Sequence, residues 1–503
     1  MFVLPAFRRA APAAVAAALM CGVAPVAMAQ VVATASTAPS GVSQEQALAL
    51  TARLDALEQR NAELEAQIQD LKAASNANVQ IVREQVNAQP VVTLNNARLQ
   101  IASADGNYKF ALRSVVQFDA AHYSESPRTA ANDLGSGTNF RRARLGFDAT
   151  ALKDWNFALW GEFGGSGGEA AVLNQAYVEY AGFKPFGSEE PLRLRVGAWA
   201  TPAGLDDATS NTEELFPERA AIAELVRGFA TGDGRTGLGA TWRGPGWYVS
   251  GLFSGKLVGV ASTPEFDQQS GYALRFALNP VHAADYDVHL GANVQSILNP
   301  ADTTGGALST RAVRLQERPE LRVSGIRLVD TGAINSDGLT AYGLEGGASY
   351  KNVYAAGEWY RIDVNRQGVS PFDPSFSGWY LQGAWTITGE HHGWTNANGG
   401  FVGVRPAKVF DPATGAWGAL ELAARYSLLN LNDRAGVFGS ATPGGGVRGG
   451  KQKITTVGLN WYPNNVVRLL LDYQQDRVRR LNAAGANIGE HVNVVSFRSQ
   501  FAF

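Results

Sequence analysis

The sequence predicts an all-β transmembrane barrel of about 16 antiparallel strands, with an α-helical coiled-coil segment ahead of it. Three observations point there. The segment Asn493 to Phe503 sets Val495, Phe497, Phe501 and Phe503 on one face against Ser496, Arg498, Gln500 and Ala502 on the other, the period of a strand between lipid and a polar interior. From about Val91 onward the chain repeats such segments, each about ten residues long, separated by Gly, Asn, Asp and Pro. At the start, Arg8 and Arg9 precede an apolar run from Ala10 to Val26 and the small-x-small site Ala27-Met28-Ala29, a secretory leader.

Cleavage near Gln30 predicts a signal peptide over 1–29 and a flexible segment over 30–42. Cys21 is the only cysteine. It falls inside the leader, and Met20 before it is too large for a lipoprotein site, so the mature chain has neither disulfide nor thiolate chemistry. Losing two arginines and no acid moves the formal charge from -2 to -4, which speaks against a nucleic-acid partner. The mean hydropathy of -0.11 is no argument against a membrane, because a barrel strand faces lipid only at every second residue.

Over 43–72 the period changes from two to seven. Ala47, Leu50, Leu54, Leu57, Asn61, Leu64, Ile68 and Leu71 form an a/d seam, and Asn61 at an a position fixes register and oligomer state. This predicts oligomerisation, the alternative being one amphipathic helix docked on a domain. A polar linker, 73–90, leads to the barrel at 91–503. Strands that begin at Phe110, Phe140, Trp155, Val172, Leu192, Gly271, Ala341, Gly378, Glu421, Ile454 and Val467 mark it most clearly. Very short turns, as at Gly244-Pro245-Gly246, alternate with long loops, the arrangement of an outer-membrane barrel with unlike rims. The connection 201–234 is too long for a turn and has helical spacing from Thr212 to Gly228. It is expected to fold into the lumen and narrow it, an external surface loop being the other possibility.

Alternation also places the charges. In Phe140 to Phe147, Ala143, Leu145 and Phe147 face lipid and leave Arg142 and Arg144 inside. Arg193 and Arg195 alternate in the same way with Leu192, Leu194 and Val196, and Arg275, Arg425 and Arg468 repeat the pattern singly. A cation facing hydrocarbon near the midplane costs about 2–4 kcal/mol, so these guanidiniums belong to the lumen, where they attract small anions. The alternative is an arginine row facing loop acids, Asp206, Asp207, Glu213 and Glu214, that shapes the field without strong selectivity.

Catalytic signals are weak. Gly164-Gly165-Ser166-Gly167-Gly168 satisfies G-x-S-x-G, but no α/β context surrounds it. His391-His392 reads as an exposed loop pair without a third metal ligand. No nucleotide-binding signature is present, and no cofactor is expected.

The block Phe140-Arg141-Arg142-Ala143-Arg144-Leu145, followed by Lys153-Asp154-Trp155, resembles the phosphate-selective porin O and P family of Gram-negative outer membranes. So do Gly204-Leu205-Asp206-Asp207-Ala208-Thr209-Ser210, the run from Gly378 to Glu390, and Gly458-Leu459-Asn460-Trp461-Tyr462. The resemblance runs from about Tyr108 to Phe503. It implies a sixteen-stranded trimeric barrel admitting phosphate and similar anions, with Arg141 and Arg142 in a lumenal ladder. Where members of the family read G-L-E-K-A-T-S-S, this chain keeps Thr209 and Ser210 but has Asp207 at the lysine. The constriction aspartate aligns with Asn174 and an early-strand lysine with Ala111, next to Arg113.

The expected function is therefore a passive porin for small anions, not an enzyme. Its partners would be two further copies of the chain, outer-membrane lipid, and the barrel-assembly machinery acting on the C-terminal strand, with the coiled coil in the periplasm. Alternatives are an envelope tether anchored by the barrel, and a barrel hydrolase using Ser166.

Overall fold

The computed structural model describes residues 43–503 apart from 129–132, 166–171, 259–265, 303–309 and 369–371. The leader, the segment 30–42 and Ser166 lie outside these residues. The chain divides into two compact units, residues 1–83 and 84–503.

Helix α1, Gln44–Ala88, begins with a reciprocal cap: the Gln46 amide donates to Ser43 Oγ (3.3 Å), and the Ser43 amide donates to Gln46 Oε1 (3.4 Å). The a/d residues Leu50, Leu54, Leu57, Leu64, Ile68 and Leu71 are all exposed on the single chain. Most of the segment expected to be a linker, 73–90, is part of this helix. Its polar composition concealed continuous helical propensity, and only Gln89 and Pro90, the proline restricting the residue before it, lie clear of the helix end.

Sixteen strands form the closed antiparallel barrel, from Lys109–Ser126 to His491–Ala502. The last pairs with the first, Val495 opposite His122 and Arg498 opposite Asp119. Closure leaves no edge, which is what allows a sheet to exist in lipid. Burial alternates as the period predicts: along Val353–Arg366, Tyr354, Glu358, Tyr360 and Ile362 point inward, whereas Val353 and Trp359 face outward. One rim has tight turns, such as Pro245-Gly246 and Lys351-Asn352, and the other has the long loops.

The residues 91–102, expected to open the barrel, instead make a separate hairpin, Val91–Asn95 with Arg98–Ala102. Asn96 and Ala97 both adopt positive φ (48° and 64°), which matches the twist of a two-residue turn. The terminal ladder bonds of the barrel join Phe503 and Ser114. Below them the free edge of the first barrel strand is taken by the hairpin, Gln100 opposite Ala111 and Ala102 opposite Lys109.

Three connections fold into the lumen. The loop 199–234 enters from the long-loop rim and carries α2 (Leu205–Ala208) and α3 (Ala221–Ala230). The expected helical stretch Thr212 to Gly228 is thus realised only in its second half, because Pro217 interrupts the first. In α3, Ile222, Leu225, Val226 and Phe229 recur at steps of three and four, and they pack with Leu315, Leu339, Tyr360, Ile362 and Leu429 in one core. The second, 318–328, comes from the same rim. The third, 387–418, breaks the short-turn rule: it leaves the tight-turn rim, and its small hairpin, Trp394–Thr395 with Gly400–Phe401, packs against Leu205, Phe216 and Tyr354.

Candidate functional site: the lumen and its charged layers

Neither lumenal helix caps itself; barrel and loop carboxylates do it instead. Glu358 accepts the amides of Leu205 (2.7 Å) and Asp206 (3.0 Å) at the start of α2. At α3, the Ala220 amide donates to Asp206 Oδ2 (3.0 Å) and the Ala221 amide to Glu320 Oε1 (2.8 Å). Negative charge at a helix N-terminus satisfies free amides and complements the helix dipole. At the other end of α3, Arg235 donates to the carbonyls of Gly228 (2.9 Å) and Thr231 (3.2 Å), the matching cationic cap.

The middle of the lumen is a knot around Glu218. Its carboxylate accepts from Arg141 Nε (2.6 Å) and Arg498 Nη2 (3.0 Å), lies 3.5 Å from Arg322, and its carbonyl accepts from Arg425 (2.8 Å). Burial opposes its ionisation, but the guanidiniums of Arg141, Arg142 and Arg498 together hold the carboxyl well below its ordinary range. Arg498 also makes a two-pronged pair with Asp119 (2.6 and 2.7 Å). Strict alternation would aim Arg141 at lipid. A β-bulge corrects this: Gln117 pairs with Arg142 and Phe118 with Phe140, so Arg141 is the extra residue and turns inward. Arg142 is fully inside, donating to Gln117 (2.6 Å), with no carboxylate bonded to it among the described residues and Nε unpartnered.

A second layer lies where the loop 199–234 meets the wall. Arg144 donates to Glu162 (2.5 Å) and Asp233 (2.7 Å), and Arg227 to Asp207 (2.6 Å) and Asp233 (2.7 Å). Arg219 lies 3.3 Å from Asp207 and 2.9 Å from Glu214. Asp207 is therefore not a bare anion in the pore, as its place in the sequence suggests, but the shared partner of two arginines, its other oxygen accepting the Ala203 amide (2.9 Å). Burial pushes the Glu214 carboxyl up to about 7, against the pull of Arg219.

Toward the short-turn rim the lumen widens into a vestibule of about 1070 Å³. Among the described residues ten arginines reach its lining against four acidic side chains, Asp148, Asp207, Glu213 and Asp233, while Glu162, Glu179, Glu190 and Glu214 pair with five of those arginines from outside the lining. Arg113 lies 2.9 Å from Asp148 and packs over Trp160. Arg193 and Arg195 both donate to Glu179 (3.1 and 2.5 Å), and Arg195 lies 4.0 Å over the Tyr177 ring. Thr209 and Ser210 reach the same lining. Asn174 does not. It is buried near the long-loop end of its strand with Oδ1 unpartnered, so the alignment that brought it to the constriction does not bring it to this space.

The histidine pair is not exposed. His392 is 4% exposed, bonded to Glu421 (2.5 Å) and the Val402 carbonyl (3.0 Å), because the loop 387–418 turns into the barrel. His289 holds the same loop by accepting from Trp394 Nε1 (3.1 Å). No group suited to holding a metal ion occurs among the described residues. Glu218, Glu179, Glu162 and Arg98 carry no sequence signal of their own; only the pairing of strands and loops brings them to the arginines.

The family model described as phosphate-selective porin O and P matches residues 110–503. The chain belongs to this family. It is an outer-membrane porin by that membership. Porin O of Pseudomonas aeruginosa is 26% identical over 405 residues, 78% of this chain and 88% of that protein. An uncharacterized protein of Caulobacter vibrioides is 27% identical over 418 residues, 77% of this chain and 75% of that one. Among solved structures, the anion-selective porin from Comamonas acidovorans covers 79% of this chain and 100% of its own at 13% identity, with a TM-score of 0.45. The outer membrane channel DcaP of Acinetobacter baumannii covers 79% and 98% at 12% identity, with a TM-score of 0.44.

Proposed function

We propose that the protein is a passive diffusion channel for small anions, selected by the arginine surplus of the short-turn vestibule. The supporting observation is a lining in which ten arginines still outnumber the acidic side chains once Glu162, Glu179, Glu190 and Glu214 behind it are counted with the four that line it. Between low-dielectric walls such an excess focuses a field that lowers the entry barrier for anions and raises it for cations. Arg113, Arg193 and Arg195 act as the collecting set. Arg141, Arg142 and Arg144 stand inward of it, beyond Thr209 and Ser210, where Glu218, Glu162 and Asp233 hold Arg141 and Arg144 in place; no cofactor takes part, and solutes move down their gradients without energy coupling.

Phosphate is one candidate solute. Pairing of Asp207 with Arg219 and Arg227 removes the repulsion that its charge alone would exert, so the difference from the family pattern at this position does not exclude it. The exposed a/d seam of α1 supports a homotrimer joined through a periplasmic coiled coil. The same exposed seam also fits a tether to other envelope components. Deleting 43–72 separates the two: monomers that still conduct favour assembly, and envelope detachment favours the tether. The channel reading is tested by the reversal potential of the purified protein in a planar bilayer under a potassium chloride gradient. Chloride preference is expected; a potential of cation sign, or no conductance, overturns it.

A further inference from the structure

The hairpin Val91–Ala102 precedes the region matched by the family model, yet it reaches the vestibule. Asn95, Asn96, Arg98 and Gln100 all line the cavity. Asn96 at the turn lies against Asn465 of a short-turn connection, with Asn465 Nδ2 3.5 Å from Asn96 Oδ1. Arg98 brings a guanidinium to within 3.5 Å of Asp148, the carboxylate that Arg113 already contacts at 2.9 Å. Two cations thus share one anion, and Arg98 Nε is buried without a partner. A guanidinium carries five N–H donors, so the pair keeps most of its donors free.

The second guanidinium pair has the same form. Arg193 and Arg195 share Glu179, and the buried Nε of Arg193 has no partner. Asp148 stands opposite Ala158, and Ala158 stands opposite Tyr177, whose ring supports Arg195. Two strand spacings, about 10 Å, therefore separate the two pairs along the wall. Arg193 also lies 3.9 Å from Glu190, which Arg243 contacts at 3.3 Å, so each cluster keeps a surplus of one positive charge, and Trp160 and Tyr177 lie beside the two pairs.

We propose that the hairpin completes a binding subsite for extended dianions, with Arg98 and Arg113 receiving one anionic group and Arg193 and Arg195 the other. The inference rests on the anion-channel reading and adds to it a site at one mouth, built in part from a segment outside the family region. A short monoanion engages one pair; a solute with two anionic ends engages both, and bidentate guanidinium contacts favour carboxylate or phosphate ends alike.

The test uses the full-length protein in planar bilayers, with chloride current as the readout. Suberate, an α,ω-dicarboxylate, and tripolyphosphate are added in separate arms to each side, with acetate as the monoanion control. Both two-ended anions are expected to block at lower concentration from the short-turn side than from the other, and acetate is not. Arg98→Gln is expected to raise the half-blocking concentration about tenfold, Arg98→Lys less, and Asp148→Asn to lower it by freeing both guanidiniums. Block by one of the two alone would assign the site to that end-group chemistry. Equal block from both sides, or an Arg98→Gln channel that conducts and is blocked like the wild type, overturns the subsite. Absence of an anion current in the wild type overturns the underlying channel reading instead.

Discussion

The charged layer at the base of the loop 199–234 and the vestibule at the short-turn rim are built from the same residue type with different outcomes. In the loop layer, Arg144, Arg219 and Arg227 each meet two carboxylates, and Asp207 and Asp233 each serve two of those arginines. In the vestibule the ratio reverses: Arg98 and Arg113 share Asp148, and Arg193, Arg195 and Arg243 share Glu179 and Glu190. Saturated pairs fix a backbone in place, because removing either partner leaves a buried charge uncompensated. Surplus charge leaves a field that a mobile ion can answer. The lumen thus separates architecture from selectivity along its axis.

That contrast can be broken at either end. The largest effect is expected at the central knot. Glu218→Ala leaves Arg141 and Arg498 short of a partner, costing about 3–5 kcal/mol in thermal unfolding and raising conductance as the loop is released. Next, Ile222→Ala removes a fully buried side chain from α3 and should cost about 2–5 kcal/mol, read as a lower melting temperature with noisier current. Asp207→Lys places a third cation beside Arg219 and Arg227. The expected result is a destabilised loop with no gain in phosphate over chloride permeability; a clear gain would return Asp207 to the role its sequence position suggests.

Smaller still is the effect of Arg195→Gln, about a few-fold loss of chloride over potassium permeability with a small loss of thermal stability, since buried Glu179 keeps Arg193 as a partner. The smallest is a pH effect. The folded-state value of Glu214, about 7, lies above that of an unfolded glutamate, so folding favours the protonated form. Its contribution is present in full below the unfolded value and is lost as pH rises toward 7. Anion preference should accordingly be slightly stronger at pH 5.5 than at pH 8, and Glu214→Gln should reduce that difference.

Much of the fold was legible because lipid and lumen impose a period of two on each strand, which is why Val495 and Phe497 face outward and Arg498 inward. The inward direction of Arg141 was not legible from alternation, since a bulge is a property of two paired strands and not of one. The lumenal course of 387–418 was hidden for a similar reason. Its glycines, asparagines and histidines read as an ordinary loop, and it is contacts made at a distance in sequence, with His289, Arg275, Asp287, Glu421 and Glu213, that draw it inward. Asp207 shows the limit most clearly, because its sign was readable while its partners, Arg219 and Arg227, lie twelve and twenty residues on in a helix-bearing loop.

The segment Phe216–Glu218 works as a cross-tie. Through Glu218 it is fastened to Arg141 and Arg498 on the strands either side of the first barrel strand, and through its backbone and the Phe216 ring to Arg425 on another part of the wall. A hydrogen-bonded tube can flatten or swell with little resistance from its ladder, whereas a peptide bolted to separate wall segments sets a fixed span. The bore at that level is then governed by the covalent length of three residues, so it should change little when the surrounding bilayer is thickened, thinned or placed under tension.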